Sequence, residues 1–513
     1  MKFTLTRYQY FLIILTASAV YFLLGINSIK SWNITYDEAD HFSYGLRSIK
    51  GHPEKVIAFE DGSCMPVSMI NTIPRIVEQL LYPGVVKKDG GVQDITRGRY
   101  MTLIAGFFML ILIYVWLSRV ASKKAAVIGF VLGSLCPNLI SQSSLVTTDA
   151  YAALFFLATL FFLHQWYLKP SLKNFIIYSL VFASVFLVKQ SLIILVPVCL
   201  LFMVIRFAKT KDLPRSLLLF AVFCIINVLV LNIGFQFNYA AAIDFKSSLF
   251  KMLDNNTLFN GFVAKILPTP FLQGFDEVMY MESLPTGDIR NLPYIFINGD
   301  YVLSGTASKQ FFFQTFIFKT PILFLTGWVI CLIGSTSARK LSVTLLFSLL
   351  PLLILLFFTF FVHSKVGVRH ILLVYPFIIM SAAIAFSQLK KPWYISIFAL
   401  HIFMICNYRN NLLAYTNELV WRNTNKVNLV GSVNLEYNQC RNVQANSSPS
   451  NIYAIDHAVS IGDTIRLQMA DFFYIPDSLH NKHNIFKNYS ILEIDKKNTV
   501  TVVKRTAANK INK

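Results

Sequence analysis

The chain has 513 residues, 55% hydrophobic and only 14% charged, with a net charge of +20 and a mean hydropathy of +0.55. A soluble protein carries about 25% charged residues, so this chain cannot cover a water-facing surface, and the same figures exclude intrinsic disorder. Long apolar runs recur along the sequence, which makes it a polytopic membrane protein.

Eleven apolar runs are expected to cross the bilayer: 9–26, 101–118, 125–143, 150–167, 174–188, 190–206, 216–235, 314–334, 341–362, 370–388 and 393–408. The first follows Lys2 and Arg7 as a signal peptide would. No small-x-small cleavage site ends it, and it reads as an uncleaved helix. One set of connections holds 15 basic residues and a single acid, Asp212, while the other 25 acids fall on the opposite side. Short, basic, acid-poor loops are cytoplasmic. Segments 27–100, 236–313 and 409–513 therefore lie outside. The basic excess is a topology signal, and nucleic-acid binding is not needed to explain it.

Residues 174–206 have basic, cytoplasmic ends, so they cross twice or not at all. Two legs of about 15 residues reach roughly 22 Å each, short of a core of about 30 Å. The turn Val188-Lys189-Gln190 then sits below the outer surface, where a charge is a functional-site candidate or a snorkelling side chain.

The first outer loop, 27–100, begins with Tyr36-Asp37-Glu38-Ala39-Asp40-His41. A helix would put Asp37 and His41 on one face. Carboxylates there suit general-base work, metal binding or plain solvation. The turn after the third span ends in Val146-Thr147-Thr148-Asp149, and the turn before the tenth reads His363 through His370, with Lys365 and Arg369. In the second outer loop, 236–313, Phe245–Leu253 alternates apolar with Lys and Ser positions, a pattern that can lie flat on a membrane. Seven cysteines are scattered without a CxxC pair, and Cys64 and Cys440, both in polar outer segments, form the one candidate disulfide. After 408 the composition turns Asn- and Ser-rich. Thr464–Leu467 is strand-like, and Ser490–Glu493 and Thr499–Val503 flank a hairpin turn, so a small β-containing outer domain is expected over 409–513. Acids and cations converging on the outer face suit chemistry on a lipid phosphate or a transporter, and composition does not separate the two.

Several of these pieces together resemble the protein O-mannosyltransferase and aminoarabinose-transferase group of membrane glycosyltransferases. They are Tyr36-Asp37-Glu38 with His41 and Gly45, Arg99 with Gly106, Cys136-Pro137-Asn138-Leu139 through Thr148-Asp149, and Val188-Lys189. Lys319-Thr320-Pro321, Arg369-His370 through Tyr375-Pro376, and Ala414-Tyr415-Thr416-Asn417-Glu418-Leu419 follow in the same order. The resemblance spans roughly residues 10–420. It implies an α-helical polytopic membrane protein with a type-C glycosyltransferase-like bundle of about eleven transmembrane helices, long outer loops and a small C-terminal β-containing outer domain. The expected division is 1–408, a transmembrane glycosyltransferase domain, and 409–513, an extracytoplasmic domain.

The implied activity is transfer of a sugar from a polyprenyl-phosphate donor to an acceptor hydroxyl on a protein, glycolipid or glycan, with inversion. Asp37 is the expected base, Glu38 an acceptor-orienting group, and Asp149 a second site acid. Arg99, Lys189, Lys319 and Arg369 are the expected phosphate ligands. No cofactor is required, and a divalent metal is an option for which Asp149, His41 and His370 are weak ligand candidates. Two departures stand out. Cys64-Met65-Pro66-Val67 replaces the family's Glu-His-Pro-Pro, and Gly431–Asn438 retains only part of the pattern after Glu418. The competing readings are a transporter or flippase for a lipid-linked sugar, and a glycan polymerase or ligase. The expected location is a bacterial inner membrane with the site facing the periplasm.

Overall fold

A computed structural model describes residues 6–32, 34–35, 37–56, 61–83, 92–210, 212–239, 244–254, 263–284, 294–297, 300–303, 308–334, 341–365, 367–389, 393–410, 412–420 and the strand segments 452–454, 472–476, 489–495 and 500–505. The expectations on Tyr36, Gly431–Asn438, Cys440 and Thr464–Leu467 lie outside the described residues.

The body is a helical bundle. Helix α1 (Arg7–Ser31) starts on a capping box in which the Thr6 hydroxyl accepts from the Gln9 amide and the Gln9 side chain accepts from the Thr6 amide. The outer helices α2 (Glu38–Ile49) and α3 (Ser68–Leu81) follow, then the long helix α4 (Val92–Val120). Ser122 caps α5 (Lys123–Ser134), and extended Cys136 leads into the short α6 (Pro137–Gln142), which opens on Pro137. Next come α7 (Asp149–Leu168), α8 (Leu172–Val185), capped by Ser171, and α9 (Leu195–Thr210), entered through a 3-10 turn over Gln190–Ile194. Asp212 caps α10 (Leu213–Gly234). Ser122, Ser171 and Asp212 each satisfy an orphan amide beside the basic residues assigned to the cytoplasmic side.

The second outer segment contributes α11 (Ser248–Asp254), α12 (Thr269–Ser283) and a two-stranded hairpin of β1 (Tyr294–Ile297) with β2 (Asp300–Leu303). The bundle resumes with α13 (Ser308–Lys319), α14 (Ile322–Gly334), α15 (Leu341–Phe361), α16 (Tyr375–Gln388) and α17 (Trp393–Tyr408). Strands β3 (Ile452–Ala454), β4 (Phe472–Pro476), β5 (Tyr489–Asp495) and β6 (Val500–Arg505) form a sheet in the order β3-β4-β6-β5, with β5 and β6 antiparallel as the sequence predicts.

The structure is an α-helical polytopic membrane protein, but the expected count of eleven full spans is not reproduced. Among the described residues five helices are long and apolar enough to cross a bilayer, six if one bent pair is counted as a span, and four shorter apolar helices accompany them. Proline accounts for two of the differences. Pro137 ends the expected span 125–143 after α5, and Pro321 breaks 314–334 into α13 and α14 at an angle of 107°. Leu412–Val420 also departs from the expected boundary at 409. Tyr415, Asn417 and Val420 are buried in the bundle. The Asn417 amide donates to the carbonyls of Ile317 (2.6 Å) and Thr320 (2.9 Å), and its backbone N–H donates to Phe318 O (2.8 Å). These are carbonyls that the break at Pro321 frees.

The core is aromatic and close-packed. The Trp116 ring meets Phe347, Phe161 and Phe377 edge-on at 4.9, 5.7 and 6.4 Å. Helices α14 and α16 touch at Gly327, where a β-carbon would come within 2.5 Å of Ala382 Cβ.

Replacing Asn417 with Ala strands two buried carbonyls at the bend. The expected loss is about 1–3 kcal/mol, read as a lower midpoint of unfolding in mixed micelles. An unchanged midpoint would show that the bend holds itself.

Candidate active site

Glu38 is fully buried in the first turn of α2. Its two carboxylate oxygens receive Arg99 Nη2 (2.6 Å) and Nε (2.7 Å), the Thr35 amide (2.8 Å) and hydroxyl (2.9 Å), and the Val146 amide (2.8 Å). Arg99 Nη1 donates to the carbonyls of Trp32 (3.0 Å) and Ile29 (3.3 Å). One ion pair thus joins the first outer loop, α4 and the turn before α7. Arg99, expected as a phosphate ligand, is 1% exposed and committed to Glu38 and backbone carbonyls. Glu38, expected to orient an acceptor, is sealed inside the same pair.

Lys319 departs from expectation in the same way. It ends α13, has no exposed surface, and its ammonium donates to Leu413 O (2.7 Å). Its carbonyl accepts from Asn138 Nδ2 (2.7 Å). It braces the bend at Pro321 against the segment after α17.

The remaining expected residues converge. Asp37, next to Glu38, pairs with Arg369. Asp149, at the start of α7 and three residues past Val146, pairs with Lys189 at 2.5 Å. Lys189 sits in the non-helical turn between α8 and the 3-10 turn, and that turn is pinned to the first outer loop by Val67 N–H donating to Leu187 O (3.0 Å). His41 and His370 belong to the same cluster: each feels the charges of Asp149, Lys189 and Arg369. Two acids and two cations from four distant segments therefore neutralise one another at the outer end of the bundle.

Burial alone would raise the Asp37 carboxyl, but the charge and hydrogen bond of Arg369 outweigh it and hold the group below the ordinary carboxylate value. His41 is pushed down to about 4, chiefly because burial disfavours an imidazolium. Asp37 and Asp149 pull it up, and Arg369 and Lys189 push it down. His41 and His370 each keep a buried Nδ1 without a hydrogen-bond partner. They do not fit as a metal centre, because both carboxylates are engaged by cations. Among the described residues no three His, Cys, Asp or Glu side chains are grouped to hold an ion. Cys64 is buried.

Residues 91–232 match a family model described as dolichyl-phosphate-mannose-protein mannosyltransferase. This stretch of the chain is similar to that family. It contains Arg99, Asp149 and Lys189, whereas Asp37 and Arg369 lie on either side of the matched stretch. Among curated protein sequences none matches the chain. Two solved structures are similar in shape. ArnT from Cupriavidus metallidurans bound to undecaprenyl phosphate is 13% identical, with 96% of this chain and 98% of that one covered and a TM-score of 0.49. The apo oligosaccharyltransferase of Archaeoglobus fulgidus is 12% identical, with 86% of this chain and 59% of that one covered and a TM-score of 0.47.

Two residues to which the sequence assigned no role help build the site. Val146 matters through its amide and Val67 through its bond to Leu187, and backbone contacts of that kind leave no mark in a residue type. Gly45 had a signal. A β-carbon there would lie 2.5 Å from Ser68 O, so α2 meets the start of α3 backbone to backbone.

Two outcomes are expected. Glu38→Gln leaves the Arg99 charge buried and uncompensated, at a cost of about 3–5 kcal/mol in unfolding experiments. Stability should also fall as pH drops from 6.5 towards 4, because an unfolded His41 binds a proton there and the folded one does not. His41→Gln should flatten that part of a melting-midpoint profile. An equally steep profile in the variant would show that other groups set the slope.

Proposed function

We propose that the chain is an inverting glycosyltransferase that moves a sugar from a polyprenyl-phosphate donor to an acceptor hydroxyl at the outer face of the membrane. The observation that carries the reading is the paired cluster of Asp37 with Arg369 and Asp149 with Lys189, set where a span-embedded turn meets the outer loops. The family match over residues 91–232 supports it.

The pairing suggests how the site works. Arg369 and Lys189 are the cations that meet the donor phosphate. Arg369 brings a fork of N–H donors and Lys189 a point charge. A phosphate drawing Arg369 towards itself takes the counter-charge from Asp37, whose carboxylate then becomes more basic. Asp37 takes the proton of the acceptor hydroxyl as its oxygen attacks the anomeric carbon from the face opposite the lipid phosphate. The C–O bond to the phosphate breaks, and the two cations stabilise the charge that develops on the departing lipid phosphate. Asp149 holds Lys189 in place before the donor arrives. The buried His41 and half-buried His370 lend polar ring nitrogens to the sugar or acceptor. No step is routed through a metal. The sugar class, hexose or pentose, is open to a donor panel, and the proposed setting is a bacterial inner membrane with the site on the periplasmic side.

The test uses purified full-length protein with radiolabelled undecaprenyl-phosphate sugars and scores release of free lipid phosphate. Asp37→Asn is expected to abolish turnover while donor binding persists. Arg369→Met and Lys189→Met are expected to raise the donor KM by one to two orders of magnitude, about 1.4–2.8 kcal/mol of phosphate binding. Donor binding without turnover on any acceptor, with Asp37→Asn indistinguishable from wild type, would instead favour a lipid-linked sugar transporter.

A further inference from the structure

Lys189 and Arg369 lie far apart in the chain, and one helix of the second outer segment touches the surroundings of both. Helix α12 meets the Lys189 turn at Gly274. A β-carbon on Gly274 would collide with Gln190 Nε2 and lie 2.7 Å from Lys55 Cε, so only a glycine lets the helix come this close. Gln190 follows Lys189 directly and is buried. Its Nε2 has no hydrogen-bond partner among the described residues, so its position rests on packing. On the other side of Lys189, Phe186 meets Phe271 of α12 edge-on at 6.3 Å.

The far end of α12 holds the segment that leads to Arg369. The His363 amide donates to Glu282 Oε2 (2.6 Å), and His363 Nδ1 lies 2.5 Å from the Glu282 carbonyl. From His363 the chain runs to Arg369 along a constrained path. Lys365 curls back onto the Val362 carbonyl and lies 4.6 Å over the Phe312 ring. The His370 ring stacks on the same phenyl at 6.4 Å. Gly274 and Glu282 are about 12 Å apart along one continuous helix. That helix is itself anchored. The Thr269 amide donates to Asn238 O (2.9 Å), and Asp276 accepts from the Ser247 amide (2.9 Å) and hydroxyl (2.6 Å).

We infer that α12 is a strut that sets the separation of Lys189 and Arg369, with Gly274 its seat on one turn and Glu282 its hold on the other. Glu282 is thus a positioning residue, acting on Arg369 through the backbone of His363. Two cations that meet one phosphate are useful only at a spacing the phosphate can bridge, and a spacing fixed in advance costs nothing when the donor arrives. That use of the strut rests on the proposed function. The strut itself rests on the contacts alone.

The test places nitroxide labels on Ile193→Cys, in the 3-10 turn after Lys189, and on Ser364→Cys, beside His363. The protein is full-length, with Cys224, Cys406 and Cys440 replaced by Ala, and neither label removes a backbone N–H. Pulsed electron resonance is expected to give one narrow distance distribution. Glu282→Ala should broaden it, and Glu282→Gln, which still accepts the His363 N–H, should leave it narrow. Gly274→Val should shift its mean, so one misfolded variant does not decide the question. In unlabelled protein Glu282→Ala should weaken binding of undecaprenyl phosphate about five- to tenfold, with Glu282→Gln close to wild type. An unchanged distribution in Glu282→Ala, or equal broadening by Ala and Gln, would overturn the strut. A distance response with no change in undecaprenyl phosphate binding would support the strut and count against the phosphate reading.

Discussion

The outer end of the bundle depends on the pair of Glu38 and Arg99. Burying two charges is costly, and such a pair is tolerated only where every oxygen and N–H finds a partner. Here Glu38 accepts from Arg99, Thr35 and Val146, and Arg99 also reaches two carbonyls at the end of α1. The gain is positional. Asp37 precedes Glu38 directly and Asp149 follows Val146 by three residues, so both site acids are indexed from one carboxylate. A shift of any of the joined segments would strand a buried charge.

The second constraint is neutrality. Near the membrane surface, with little water, two unpaired carboxylates could not both stay ionised at close range. Arg369 and Lys189 resolve this by facing Asp37 and Asp149. The resting site is therefore charge-balanced, and an arriving phosphate has to compete for cations already in use. In the proposed mechanism that competition couples donor binding to the basicity of Asp37.

The breaks in the spans follow the same logic. Non-helical backbone at membrane depth survives only where protein satisfies its polar groups. At Pro321 the Asn417 amide and backbone serve the freed carbonyls. Between α8 and α9 the Val67 amide serves Leu187, and at the turn before α7 the Glu38 carboxylate serves Val146. The turns that carry Lys189 and Asp149 are held in this way, so the backbone bonds that satisfy them also position two residues of the site.

Much of this was legible in the residues. Hydropathy specified a polytopic protein, because the bilayer selects on composition over windows of about 20 residues, whatever the partners of each helix. The convergence of Asp37, Asp149, Lys189 and Arg369 was legible too, since each is a charge at the outer end of an apolar run. The sequence alone could not sort those charges from Glu38, Arg99 and Lys319, which look the same on paper. Only the tertiary structure decided that Arg99 meets a carboxylate and Lys319 a carbonyl inside the protein, whereas Lys189 stays partly open at the site. A charged residue type records that a partner is needed, and which partner it finds depends on segments 40 to 94 residues away.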